Sequence, residues 1–329
     1  MNSRDVINHT LAYDNPSRLG HTYPVSDIVF CGCSAPTLAT DWHEVVAGRW
    51  ERIDEWGNRW ARLDAYSKGE VVVGALETWD DLEKIVWPDF KNPVYYETAK
   101  NIRNEHGDKY VLGALPGFAF NIARKMRRLE LYLTDLLMSP DEVNTLHDQI
   151  DSLLEDMIRN FAAIGADGIM ITEDWGTQGQ LMIDPKLWYE AYYPRFVSLC
   201  SLAHSLNLTV WMHSCGKIES IMPGLITAGV NVFQFDQPEL HGLDVLHAYQ
   251  QESRVTFWCP VDIQKVLPTC EKNIIENKVK EMLDKLYRGG GFIAGCYPDP
   301  AALGIDPAFQ EFANETFERL GNTVGNTVS

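Results

Sequence analysis

Gly165-Ala166-Asp167-Gly168-Ile169-Met170-Ile171-Thr172-Glu173-Asp174-Trp175-Gly176 is the stretch on which the fold turns. Gly165 stops a helix, Gly168 to Thr172 reads as a short apolar strand, and that strand opens onto two acids. Upstream, Ser139-Pro140-Asp141-Glu142 carries helix-start chemistry: a cap, a proline in the first turn and acids at the positive end of the dipole. Leu146, Ile150, Leu153, Met157 and Phe161 then recur at helical spacing and predict the buried face. A helix feeding a strand in this way is one βα unit.

The pattern spreads outward from there. Strands are predicted at Val71 to Leu76, Tyr110 to Leu115, Gly168 to Thr172, Leu208 to His213, Val230 to Phe235, Val255 to Pro260 and Gly291 to Gly295. Between the last two, Asn273 to Leu286 predicts a helix with Ile274, Val279, Met282, Leu283 and Leu286 inward, ended by Gly289-Gly290-Gly291. Alternating strands and helices predict an α/β protein, a TIM (β/α)8 barrel. Residues 1–69 break the rhythm and are expected as an irregular N-terminal extension packing on the barrel, with Glu55-Trp56-Gly57-Asn58-Arg59-Trp60 as a turn or hairpin. The whole chain, 1–329, is read as one domain.

With 46 acidic against 28 basic residues the chain carries a formal charge of -18, which would repel a phosphate backbone and an anionic membrane alike. Nucleic acid and membrane are therefore excluded as partners, and a homodimer is left open. Residues 1–10 lack the basic-then-apolar layout of an export signal, and the seven cysteines are odd in number, so a cytoplasmic protein with free thiols is expected.

In a barrel the chemistry collects at the carboxyl ends of the strands. The predicted strands end on Glu173-Asp174, His213-Ser214-Cys215, Asp236-Gln237, Asp262 and Cys296-Tyr297. His213 and Cys215 are two apart, so on extended backbone their side chains share one side and reach one ion. With Cys296 from a distant strand end they form a borderline-soft set of one imidazole and two thiolates that suits zinc and leaves a fourth position open. Glu173 and Asp174 are the expected catalytic acids. Gln178, Gln237, Asp236, Asp262 and Tyr297 are the expected substrate contacts, with Gln180 beside Gln178. Cys31 and Cys33 form a Cys-x-Cys in the irregular N-terminal region, Cys200, Cys259 and Cys270 read as core or helix residues, and none of the five is expected to be a ligand.

The run from Gly165 to Gln178, Met182-Ile183-Asp184-Pro185, His213-Ser214-Cys215-Gly216 with Ile221-Met222-Pro223 behind it, and Gly289-Gly290-Gly291-Phe292-Ile293 together resemble the uroporphyrinogen-decarboxylase superfamily, and within it the methyltransferase branch. The likeness runs from about Gly113 to Leu320. It implies that His213, Cys215 and Cys296 hold zinc. It further implies that a methyl group moves between a small methyl donor or acceptor and the cobalt of a corrinoid (cobalamin) carried by a partner protein. Trp175, Trp188, Tyr192 and Tyr193 suggest a mouth able to hold a methoxylated aromatic, pointing to O-demethylation. The alternatives are a methylcobamide:thiol methyltransferase, a cofactor-independent decarboxylase and a non-catalytic corrinoid-docking protein. The Arg-Gln-Ala-Gly-Arg motif of true decarboxylases is missing, since only Arg4 and Arg18 precede Arg49.

Overall fold

The computed structural model describes residues 1–65 and 67–324. Among them the strands are β1 (Gly20–His21), β2 (Ile28–Cys31), β3 (His43–Val46), β4 (Arg49–Ile53), β5 (Arg59–Arg62), β6 (Glu70–Val73), β7 (Tyr110–Ala114), β8 (Gly168–Thr172), β9 (Thr209–His213), β10 (Val232–Gln234), β11 (Thr256–Cys259) and β12 (Phe292–Ala294). The helices are α1 (Ser3–Ala12), α2 (Glu97–Glu105), α3 (Ala119–Met126), α4 (Leu129–Met138), α5 (Pro140–Ala163), α6 (Pro185–Ala191), α7 (Tyr193–Ser205), α8 (Met222–Ala228), α9 (Leu243–Ser253), α10 (Lys272–Leu286) and α11 (Pro307–Val324).

Eight parallel strands pair in the order β1-β12-β11-β10-β9-β8-β7-β2 and coil into a nearly closed TIM barrel ringed by helices. This is the fold the βα rhythm predicts. The helix before β8 is α5, with Val143, Leu146, His147, Ile150, Leu154, Met157, Ile158 and Phe161 buried; Ser139 stands at its N-cap but makes no side-chain capping bond. In α10 the inward residue of the first turn is Ile275, while Ile274 is exposed. The expected face was one residue out of phase there.

The N-terminal seventy residues depart from expectation most. They are not irregular: they supply α1, barrel strands β1 and β2, and the first three strands of a four-stranded antiparallel sheet, β3-β4-β5-β6. The run expected as a barrel strand from Val71 is β6, the edge of that second sheet. The hairpin reading of 55–60 holds, because Asp54 accepts from the backbone N–H groups of Trp56 at 3.0 Å and Asn58 at 2.9 Å and so folds the β4–β5 turn. At the seam between the barrel's end strands, buried Asp27 accepts from the His21 amide at 2.9 Å and pairs with Arg18. All seven cysteines are free thiols, and no described helix is long and apolar enough to cross a membrane.

Candidate metal centre at the strand ends

The β8–β9 ladder continues past both strands. Glu173 N–H donates to the His213 carbonyl at 2.9 Å, and Gly176 N–H donates to the Cys215 carbonyl at 3.2 Å. Gly176 and Gly216 make this possible: a Cβ on Gly216, whose φ is +76°, would fall 2.1 Å from the Gly176 oxygen. The two loops therefore run in backbone contact, which sets Asp174 beside Cys215.

Successive residues on β8 point to opposite sides, and the two acids separate accordingly. Glu173 is fully buried and turns toward α3, where its carboxylate accepts from the amides of Phe118 at 2.6 Å and Asn121 at 3.0 Å. Burial raises its pKa to about 8 despite those bonds and the Arg124 charge. Glu173, expected as a catalytic acid at the mouth, is thus placed beneath it, holding the first amides of α3. Asp174 faces the mouth, accepting from the Cys215 amide at 2.9 Å.

Three donors converge there. His213 Nε2 lies 3.3 Å from Cys215 Sγ and 3.5 Å from Asp174 Oδ1, and the three ligand atoms fall within 4.8 Å of one another. Donors around a tetrahedral zinc, at bond lengths of about 2.0 to 2.3 Å, sit roughly 3.3 to 3.6 Å apart. The residues thus fit that ion in type and spacing.

Sequence reasoning missed the residue that orients the imidazole. Gln234, opposite His213 in the β9–β10 register, is buried and hydrogen-bonds through Oε1 to His213 Nδ1. Its amide is fixed in turn, because Gln234 Nε2 donates to Asp236 Oδ1 at 2.8 Å and a carboxylate only accepts. Nδ1 therefore carries the proton, and the Nε2 lone pair faces Cys215 and Asp174. The signal available was a lone amide inside the apolar run Val232-Phe233-Gln234-Phe235. Asp236, expected to touch substrate, acts here on the amide that holds His213.

The Cys215 thiol is pushed up to about 12, by desolvation first and then by the charges of Asp174 and Asp236. Without a cation it would stay protonated at neutral pH; a divalent ion reverses that balance.

The remaining residues divide. Cys296 Sγ points to the Thr22 carbonyl at 3.9 Å, outside the converging trio, and burial raises its thiol pKa, with the Thr22 hydrogen bond working against that and the more distant Asp236 charge adding to it. Gln178 and Gln237 meet across the mouth, Nε2 to Oε1 at 2.9 Å. Gln180 lines a different cleft, of about 710 Å³, with Met182 and Lys217. Asp262 is buried and occupied by the amides of Glu239, Gln264 and Lys265, so it braces its own loop rather than offering a substrate contact. The half-buried Tyr297 ties its amide to Gln310 at 3.2 Å. Of the aromatic cradle expected from sequence, Trp175, Trp188 and Tyr192 are fully buried in the core, and Tyr193 is half-buried at the start of α7.

The family model described as uroporphyrinogen decarboxylase matches residues 65–296. No curated protein sequence matches the chain. Among solved structures, a methyltransferase from Methanosarcina mazei superposes with a TM-score of 0.54 at 16% identity, covering 80% of this chain and 73% of its own. A 3-keto-D-glucoside 4-epimerase from E. coli follows with a TM-score of 0.43 at 13% identity, covering 69% and 86%. A D-psicose 3-epimerase from Clostridium cellulolyticum gives 0.44 at 10%, covering 71% and 85%.

Proposed function

This chain belongs to the uroporphyrinogen decarboxylase family, and from that premise we propose that it is a zinc-dependent methyltransferase moving a methyl group between a small donor and the cobalt of a corrinoid carried by a partner protein. The observation that supports this most is the meeting of His213 Nε2, Cys215 Sγ and Asp174 Oδ1 at metal-ligand spacing on the barrel mouth. The same barrel carries a methyltransferase in Methanosarcina mazei.

His213, Cys215 and Asp174 form the ready donor set. Cys296 joins as a further ligand by turning its sulfur from the Thr22 carbonyl; the field of Asp236 reaches both thiols. Zinc, when bound, would act as a Lewis acid that stabilises a leaving oxygen or sulfur. The chain's own residues do the positioning. Gln234 and Asp236 hold the imidazole in one tautomer, and the Cys215 amide holds Asp174. Gln178 and Gln237 close over the mouth, where their free amide atoms are available to a substrate.

The test is a methyl-donor screen on the zinc-loaded protein with a Co(I) corrinoid, read by the absorbance of methylcobamide. Donor-dependent methylcobamide is expected. Its absence with every donor, for a protein that holds zinc, would overturn the assignment.

A further inference from the structure

Next to the candidate centre a separate cavity of about 400 Å³ opens between the β5–β6 edge of the antiparallel sheet and the corner joining α3 to α4. That volume lies in the range of small-molecule sites, about 300 to 1,000 Å³. Trp60, Val71 and Leu129 give it an apolar wall, and Arg124, Lys125 and Arg128 bring three cations to it. In a chain of net charge -18 this is a local reversal of sign.

Lys125 is the informative member. It is half-buried, its ammonium lies 5.8 Å from the Trp60 ring centre, and among the described residues it has no carboxylate within 4.0 Å and no hydrogen-bond acceptor. Burial, and then the neighbouring Arg124 charge, pull its pKa below the usual range, with Glu55, Asp54 and Glu173 acting on it only at longer range. A desolvated cation without a partner is costly, and an anionic ligand would relieve that cost. Two carboxylates, Glu70 and Glu130, stand at the exposed rim, Glu130 at 3.7 Å from Arg128. Arg124 lines the cavity and also reaches to 3.8 Å from Asp174 Oδ2, so the cavity adjoins the metal donors.

We propose that this cavity binds a small monocarboxylate with an apolar, ring-sized body. The carboxylate pairs with Lys125 and Arg128, the body lies against Trp60, and the opposite end extends past Arg124 toward Asp174, His213 and Cys215. The inference rests on the methyltransferase reading and names the chemical class of its small substrate.

The test is calorimetric binding of benzoate and of its neutral counterpart benzyl alcohol to the zinc-loaded protein. Benzoate is expected to bind at least about tenfold more tightly than the alcohol. Lys125→Met should remove that preference while leaving the alcohol unchanged. Arg128→Ala, a change at an exposed position that spares the core, should weaken benzoate by about threefold. Equal affinity for the two probes, or unchanged benzoate affinity in both variants, would overturn the proposal. Zinc content of the same preparations keeps the two readings apart. Carboxylate preference without metal retains this cavity and sinks the methyltransferase reading in favour of a cofactor-independent decarboxylase. Metal and methyl transfer without carboxylate preference sink the cavity alone.

Discussion

Asp174 Oδ1 accepts a hydrogen bond from the backbone N–H of Cys215 at 2.9 Å, so the acid that ends one barrel strand is aimed by the loop that ends the next. The same oxygen is 3.5 Å from His213 Nε2, which makes Asp174, and not its neighbour Glu173, the carboxylate of the site. Asp174→Asn keeps the size and an acceptor oxygen but removes the charge. Zinc affinity should fall by about 10- to 100-fold, measured by competition with a chromogenic chelator. An unchanged affinity would place Asp174 outside the ligand set.

Gln234 should matter as much as a ligand despite touching no metal. In Gln234→Leu the His213 Nδ1–H loses its acceptor and the ring loses its fixed tautomer and angle. We expect zinc binding weaker by about tenfold or more with the fold retained. Gln234→Glu keeps the acceptor for Nδ1 but sets a second carboxylate against Asp236 Oδ1, so recovery is expected only when it is combined with Asp236→Asn, whose amide can donate to it; equal weakening in Gln234→Leu and in that double variant would mean that Gln234 only fills space.

Gly216→Ala tests the contact between the loops. The added Cβ would meet the Gly176 carbonyl carbon at 2.2 Å and would sit on a backbone with φ of +76°. The Cys215 loop must move, so the variant should lose zinc affinity to a similar extent as Asp174→Asn while its thermal unfolding remains cooperative. Full zinc affinity in Gly216→Ala would show that the loops need not touch.

Stability should fall on mild acidification through buried histidine. His147 is fully buried, takes part in a 2.6 Å hydrogen bond with the Tyr132 hydroxyl, and has its pKa lowered to about 3 by burial and then by the Arg195 charge. The folded value lies below the unfolded one, so the unfolded chain takes up the proton first. The contribution is present above about pH 6.5 and is lost as pH falls toward 3. Between pH 7 and 5 the loss from this group should be about 2 kcal/mol in urea unfolding, and His147→Gln should flatten that slope. A slope identical in the variant would exclude His147 as its source.

The barrel seam offers a test away from the site. Asp27→Asn leaves Arg18 without its partner and weakens the bond to the His21 amide that joins the end strands. A loss of about 2 to 4 kcal/mol in chemical unfolding is expected, with zinc content per folded chain unchanged.

The βα rhythm from Tyr110 onward was legible because the strands are short, largely apolar runs separated by stretches of helical spacing. β1 and β2 were not: Gly20–His21 is two residues long, and the four residues of β2 carry no helical repeat after them to mark a βα unit. β6 misled because a run of valines reads alike in a buried parallel strand and at the edge of an antiparallel sheet. At the site, the two-residue spacing of His213 and Cys215 placed both on one side without any tertiary knowledge. The choice between Glu173 and Asp174 required knowing which face of β8 meets α3. Gln234 required the β9–β10 register, and the cavity around Lys125 required the packing of a sheet from residues 43–73 against α3, a contact without local signature.

The most direct measurement is the metal content of the chain purified under reducing, chelator-free conditions, combined with X-ray absorption at the zinc edge. The account predicts about one zinc per chain in a first shell of sulfur and nitrogen or oxygen donors, lost in Cys215→Ala and reduced in Asp174→Asn. A well-folded protein without stoichiometric metal, or one whose zinc is unaffected by removal of Cys215, would contradict it.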